Sequence, residues 1–256
     1  SIALSIILDR MKENFFSPIA KEYARFRSRY PEELFKWLAS VAPSNQLAWD
    51  CATGTGQSAS SLVNYFERVV ATDISDELLA QAALHERITY RKADALNSGI
   101  ESASIDLITV ANAMHWFHGP DFEREVRRVL KPGGVIAAWS FAFASITPEV
   151  DRLTRKMHNE IVDPFWIEPN RIVEYGYKDL HFPYALLEAP DISMTSYLDL
   201  VAIEGYMRTW SASTKYQAKN GMDPVSLVHD DLLAAWGDPL KVRAVNWQLN
   251  LKAGRV

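Results

Sequence analysis

Between residues 46 and 141, short apolar or β-branched runs alternate with segments of helical periodicity, and this alternation constrains the fold more than any other feature of the chain. The runs cover residues 46–50, 68–73, 87–94, 105–112 and 134–141. Their nearly continuous apolar character suits strands buried on both faces of a parallel sheet. Between them, residues 57–66, 75–85 and 121–130 read as helices of about three turns each. Ser75 is placed to cap the second of these, and Asp76 and Glu77 put negative charge in its first turn, where the helix dipole favours it. Lys131-Pro132-Gly133-Gly134 stops the third before the fifth strand. The pattern predicts an α/β fold with a doubly wound sheet and right-handed crossovers that place helices on both faces.

The flanks read differently. About 45 residues of helical character precede the first strand. Residues 31–38 place Pro31 at a helix N1 position, followed by apolar residues at helical spacing. Beyond Phe141, residues 147–161, 197–208 and 223–236 suggest helices rich in Trp, Tyr and Met. Residues 241–252 alternate as a half-buried final strand, with residues 184–194 as an antiparallel partner. The expected organisation is one domain over residues 1–256: a core at about 40–141, a helical insert acting as a lid at about 142–236, and a last strand at about 240–253.

Composition narrows the partners. With 48% hydrophobic and 23% charged residues, the 256-residue chain falls outside the disordered and fibrous classes. A formal charge of -5 leaves no global basic field for nucleic acid or an anionic membrane, which favours a small-molecule partner. The lone Cys51 excludes an internal disulfide framework and multi-cysteine metal centres, so no metal site is expected and a reducing cytoplasm fits. Residues 1–8 are apolar but lack a basic flank and are too short to span a bilayer; no run of about 18 apolar residues occurs elsewhere. Aromatics make up 11% of the chain and include eight Trp.

The sharpest chemical signal is Asp50-Cys51-Ala52-Thr53-Gly54-Thr55-Gly56, between the first strand and its helix. Glycines at the carboxyl end of a strand let a ligand approach the backbone at the edge where open α/β sheets bind ligands. Asp73 ends the second run, where a carboxylate can accept both ribose hydroxyls, and Asp94 ends the third. Gly54 to Ala59 also satisfies the G-x-G-x-x-G/A dinucleotide fingerprint. Asp50 separates the two readings: a pyrophosphate avoids a carboxylate at that turn, whereas the ammonium of a methionine moiety favours one.

These motifs resemble the class I S-adenosylmethionine-dependent methyltransferases, in particular the methyltransferase type 11 domain. Asp50 to Gly56 is similar to their first motif, Val70 to Asp73 to the ribose-binding strand, and Lys92-Ala93-Asp94-Ala95 to the adenine-side motif. Leu107 to Phe117 and Val129 to Gly134 resemble the fourth- and fifth-strand motifs. Ala52 departs from the pattern, standing where the family has its first glycine. A narrower resemblance, to the trans-aconitate methyltransferase-like subgroup, rests on Tyr23 to Pro31, His115-Trp116-Phe117 and Arg208 to Ala212, with Ser28 in place of a usual proline. The resemblance implies a seven-stranded, Rossmann-like methyltransferase sheet with N-terminal helices and a helical lid before the last strand. It implies S-adenosylmethionine as cofactor, contacted by Asp50, Ala52, Gly54, Gly56, Asp73, Ile74, Asp94, Ala95, Ala111 and Arg27, and O-methylation of a small carboxylate.

His115 follows the fourth strand on the ligand edge and is the candidate base; the competing reading is a hydrogen-bonded core histidine. Tyr23, Tyr30, Trp116, Trp166, Tyr206 and Trp210 are the candidate acceptor-pocket residues, against an ordinary helical core. Arg27, amid Arg25 and Arg29, is placed to pair with a carboxylate of cofactor or substrate, against a solvated helix end. The alternatives are a nicotinamide-dependent oxidoreductase on the same fold, for which no catalytic Tyr-Lys or His pair is evident, and a cofactor-binding protein without catalysis.

Overall fold

The computed structural model describes residues 30–141 and 143–256, so the readings on Tyr23 and Arg27 lie outside the described residues. Helix α1 (Glu32–Val41) buries Leu34, Phe35 and Leu38 on one face. Pro31 stands at its N-cap, one position before the expected N1: with φ -59° and ψ 140° its backbone is still extended.

The core then runs β1 (Leu47–Cys51), α2 (Gln57–Leu62), β2 (Arg68–Asp73), α3 (Asp76–Leu79), β3 (Ile88–Lys92), β4 (Ile105–Ala111), α4 (Pro120–Val129) and β5 (Leu130–Ser140). Together with β7 (Ala185–Leu186) and β10 (Asn250–Arg255) these strands form a seven-stranded sheet of order β3-β2-β1-β4-β5-β10-β7. The first five pair in parallel, while β10 runs antiparallel to both β5 and β7. The order reverses at β1, which pairs with β2 on one side and β4 on the other; such a switch point opens a ligand crevice at the carboxyl ends of the strands.

Alternate side chains of the sheet feed two cores. Ala48, Leu107, Ala137 and Trp139 pack with Leu34, Phe35 and Leu62. Trp49, Ile108, Ile136 and Ala138 pack with Phe122, Val126 and Tyr177 on the other face. Fully burying a side chain of this size contributes about 1.5–3 kcal/mol, so the apolar runs are held from both sides.

The structure shortens some expected elements. Ser75 caps α3 by accepting from the Leu78 N–H at 3.3 Å, but this helix lasts a single turn rather than three. Residues 83–87 are exposed, so the segment has no apolar face to hold further turns against the sheet. Lys131 to Gly134 lies inside β5 rather than in a separate turn, because Leu130 already pairs with Ile105.

After β5 come β6 (Ala144–Ser145) and α5 (Pro148–Lys156), which continues as a π-helical turn over Met157–Ile161. Helices α6 (Glu168–Glu174), α7 (Leu200–Arg208), α8 (Ser211–Asn220) and α9 (His229–Trp236) follow. The single strand expected at 241–252 is two strands in two sheets. β9 (Arg243–Gln248) joins β6 and β8 (Ser193–Leu198) in a three-stranded antiparallel sheet, and β10 enters the main sheet. Leu249 marks the step, its N–H donating to the Ile192 carbonyl at 2.9 Å. Alternation reports which face of a strand is buried, not which sheet receives it. The expected partner segment serves both: Leu186 pairs with Gly254 and Met194 with Trp247. Among the described residues no helix is long and apolar enough to cross a membrane.

Candidate active site

Beyond β1 the backbone turns through three residues of positive φ: Ala52 (56°), Gly54 (58°) and Gly56 (81°). At Gly56 any Cβ would collide with the Tyr90 side chain, so that position needs glycine on steric as well as conformational grounds. Thr53 donates its backbone N–H to the Thr72 carbonyl at 2.9 Å, and Trp49 Nε1 donates to Thr72 Oγ1 at 2.9 Å. The turn is thereby fastened to the end of β2.

Two buried carboxylates frame it. Asp73 Oδ2 accepts from the Gly54 N–H and Oδ1 from the Ser75 N–H, both at 2.9 Å. Asp50 accepts from Thr109 Oγ1 at 2.7 Å and from Thr53 Oγ1. Burial raises the Asp50 pKa to about 6 against the pull of these hydroxyls, and the charge of Asp73 adds to the rise. Among the described residues no cationic side chain pairs with Asp50. A buried acid supplied with neutral donors and no cation fits a cationic ligand.

The remaining cofactor candidates ring this turn at the carboxyl ends of the strands. Ile74 follows β2 and is 46% exposed. Asp94 is exposed in the turn after β3, where its carboxylate accepts from the Leu96 N–H at 2.9 Å, and its charge is felt at Cys51. Ala52, Ala95 and Ala111 are half-buried. Cys51 is buried, which pushes its thiol pKa up and leaves it a packing residue.

Toward β5 the site changes character. Asn112, at φ 52°, closes β4 by accepting from the Phe141 N–H at 3.3 Å and donating through Nδ2 to the Tyr30 hydroxyl at 3.0 Å. Tyr30 meets Trp139 edge-on at 5.4 Å. His115 lies in a short 3-10 turn (Met114–Trp116), is buried, and has Nδ1 3.2 Å from the Tyr177 hydroxyl. Burial lowers its pKa to about 4, so the imidazole is neutral at physiological pH. Trp116 packs on His115 at 4.9 Å.

Trp166, Tyr206 and Trp210 converge: Trp166 and Tyr206 lie 6.2 and 5.9 Å from Trp210. His158, Phe143 and Trp247 join them and were not legible as site residues. The sequence signal for His158 was weak, a lone histidine inside a helical stretch. Asn112 and Tyr177 were missed as well; the signal for Asn112 was its position directly after the fourth run.

Comparison with known proteins decides what this fold and turn belong to. Residues 49–138 match the methyltransferase domain family. A solved structure from Anaeromyxobacter dehalogenans, described as a type II methyltransferase, is 40% identical and superposes with a TM-score of 0.84 over 90% of this chain and 98% of its own. The chain is a class I S-adenosylmethionine-dependent methyltransferase. A protein of Dictyostelium discoideum that carries a methyltransferase name is 28% identical over 86% of each chain. A methyltransferase-named structure from Anabaena variabilis, at 16% identity and a TM-score of 0.53 over 86% of this chain and 98% of its own, shares the fold. The enzyme is thus a methyltransferase rather than a nicotinamide oxidoreductase, and S-adenosylmethionine is its methyl donor.

Proposed function

We propose that this methyltransferase acts on a small-molecule acceptor held at the carboxyl ends of β4 and β5, against the aromatic side chains of the segment after β5. The observation that carries the reading is the continuity between two chemistries: the acid-lined turn at β1 and β2, and the aromatic cluster that begins where Asn112 ties β4 to Phe141.

In this reading Asp73 receives the ribose hydroxyls and Asp94 the adenine amino group. Asp50 faces the cationic methionine end, and Gly54 and Gly56 give it room beside the backbone. Ala52, Ile74, Ala95 and Ala111 form the walls. The methyl donor supplies an electrophilic carbon on a sulfonium. The chain's own work is orientation and exclusion of water, and orientation alone accounts for about 7–11 kcal/mol of a bimolecular barrier. His115 suits a positioning role better than that of a base: a buried neutral imidazole bonded to Tyr177 fixes the turn after β4. The trans-aconitate-like reading, with a carboxylate acceptor, depends on Arg27 and Tyr23.

S-adenosylhomocysteine is expected to raise the melting temperature, by about 2.7 kcal/mol of stabilisation at 100 times its Kd, and NAD is not. A response to NAD alone overturns the reading. Asp73→Ala is expected to remove most of the response; an unchanged response removes Asp73 from the ribose site.

A further inference from the structure

The aromatic contacts after β5 form a chain that returns to the loop it started from. Phe141 lies 6.3 Å from Trp247, Trp247 5.9 Å from Tyr206, Tyr206 5.9 Å from Trp210, Trp210 5.4 Å from His158, and His158 4.7 Å from Phe143, two residues beyond the start. Trp166 also meets His158, 4.6 Å away and tilted by 31°. Phe141, Phe143, Trp166, Tyr206 and Trp210 are only partly buried, so the ring keeps accessible apolar surface. It starts at the end of β5, beside the Asn112 bridge.

Two polar atoms in it stand out. Trp247 is 5% exposed, and its Nε1 is buried with no hydrogen-bond partner among the described residues. His158 is 9% exposed and engages Asn159 Oδ1 through Nδ1 at 2.7 Å; its Nε2 has no partner among the described residues. The Asn159 carbonyl can only accept, so Nδ1 carries the proton and Nε2 keeps its lone pair. His158 sits on the π-helical turn, a distortion that often re-aims a functional side chain.

We infer that this ring seats the acceptor as an aromatic hydroxyl, with Trp247 Nε1 donating to the hydroxyl oxygen and His158 Nε2 accepting its proton. The inference rests on the proposed acceptor side of the site. An imidazole lone pair and an indole donor complement one O–H group, and the aromatic faces complement a flat ring. A phenol ionises near pH 10, within reach of an imidazole aided by a hydrogen bond, whereas an aliphatic alcohol does not. A carboxylate has no proton to give; of the guanidiniums near this cluster, Arg155 stacks 4.7 Å from the Phe143 ring and Arg171 pairs with Asp163 and Glu174. Burial lowers the His158 pKa, opposed by the Asn159 hydrogen bond and by the charges of Glu174 and Asp163 and aided by Arg171. The step balances: the O–H proton passes to Nε2, the oxygen forms a bond to the methyl carbon, and the carbon–sulfur bond breaks with its electron pair left on sulfur.

The test uses 4-nitrophenol, whose absorbance reports its ionisation, with the whole protein saturated by S-adenosylhomocysteine. The probe is expected to bind and to show its phenolate band at a pH where the free probe is mainly protonated. Benzoate is expected to bind more weakly. His158→Gln is expected to bind the probe about tenfold more weakly and without the phenolate shift. Trp247→Phe is expected to weaken binding while keeping some of the shift. Wild-type binding without the shift, an unaltered shift in His158→Gln, preference for benzoate, or no probe binding by protein that S-adenosylhomocysteine stabilises would each overturn the inference. Failure of S-adenosylhomocysteine to stabilise the protein would instead strike at the cofactor reading, which keeps the two failures distinct.

Discussion

Two buried aspartates sit near opposite ends of the adjacent central strands β1 and β4, and their surroundings contrast. Asp106, near the amino end of β4, is 0% exposed and accepts from Ser44 Oγ at 2.7 Å, from the Gln46 and Leu47 N–H groups at 3.1 and 3.0 Å, and from Lys131 Nζ at 2.9 Å. These donors and the Lys131 charge hold its pKa below the usual carboxylate value despite the cost of burial. Asp50, at the carboxyl end of β1, is 1% exposed, has hydroxyl donors and no cationic partner among the described residues, and burial raises its pKa to about 6. The acid at the amino end of β4 has its counter-charge from Lys131, whereas among the described residues the acid at the carboxyl end of β1 has none, the pattern expected of a group that meets a cationic ligand.

Removing Asp106 should have the largest effect on stability. Asp106→Ala leaves the Ser44 hydroxyl and the Gln46 and Leu47 N–H groups without their acceptor and leaves the half-buried Lys131 head only Gln46 Oε1, a loss of about 3 kcal/mol in urea unfolding. The fraction that folds should still respond to S-adenosylhomocysteine; loss of that response would place Asp106 in the ligand site and break the contrast. Because its folded pKa is depressed, the stability Asp106 contributes is present above the unfolded carboxylate pKa and disappears as pH falls through the folded value.

Asp50 should behave in the opposite sense. Its folded pKa is raised from 3.8 to about 6, so its favourable contribution is full below 3.8 and is lost as pH rises through 6. Asp50→Asn is therefore expected to stabilise the ligand-free protein at pH 8, on the order of 3 kcal/mol as an upper bound, and to add little at pH 4. The same change should weaken S-adenosylhomocysteine binding. Unfolding curves at the two pH values test the first effect and ligand-induced melting shifts the second; a variant that gains stability and keeps full affinity would remove Asp50 from the cofactor site.

The same contrast explains what the sequence made legible. The acid-lined turn is local: β1, the glycines and the end of β2 occupy residues 47–73, so backbone chemistry and strand order sufficed to place Asp50, Gly54, Gly56 and Asp73 along one edge. The aromatic ring draws Phe141, His158, Tyr206 and Trp247 from separate elements across about 100 residues, and no periodicity records which of them meet. Residues 241–252 show the same limit, since one alternating pattern serves two sheets. His115 was legible as a residue at the ligand edge, but its Tyr177 partner lies 62 positions away and was not. Tyr177→Phe should cost about 1 kcal/mol and leave S-adenosylhomocysteine affinity unchanged, because the bond braces the acceptor-side turn and not the acid-lined one. A large loss of cofactor affinity in that variant would show the two sides to be mechanically coupled.

The smallest expected effect lies within the acid-lined turn itself. Ala52 holds φ at 56°, a left-handed conformation that costs a residue with a Cβ about 1–2 kcal/mol. By its resemblance to the family's motif the position corresponds to a first glycine, and the backbone holds a glycine-like conformation there. Ala52→Gly relieves the strain but gives the unfolded chain more freedom, by roughly 0.5–1 kcal/mol, so the net gain should be about 0.5 kcal/mol. A melting curve of the ligand-free variant reads that gain directly. Cofactor affinity should rise slightly or stay level, because the turn already has the shape that glycine would give it. A pronounced rise would mean that the Ala52 methyl group stands in the ligand's way, and the open side of the turn would then be narrower than Gly54 and Gly56 make it.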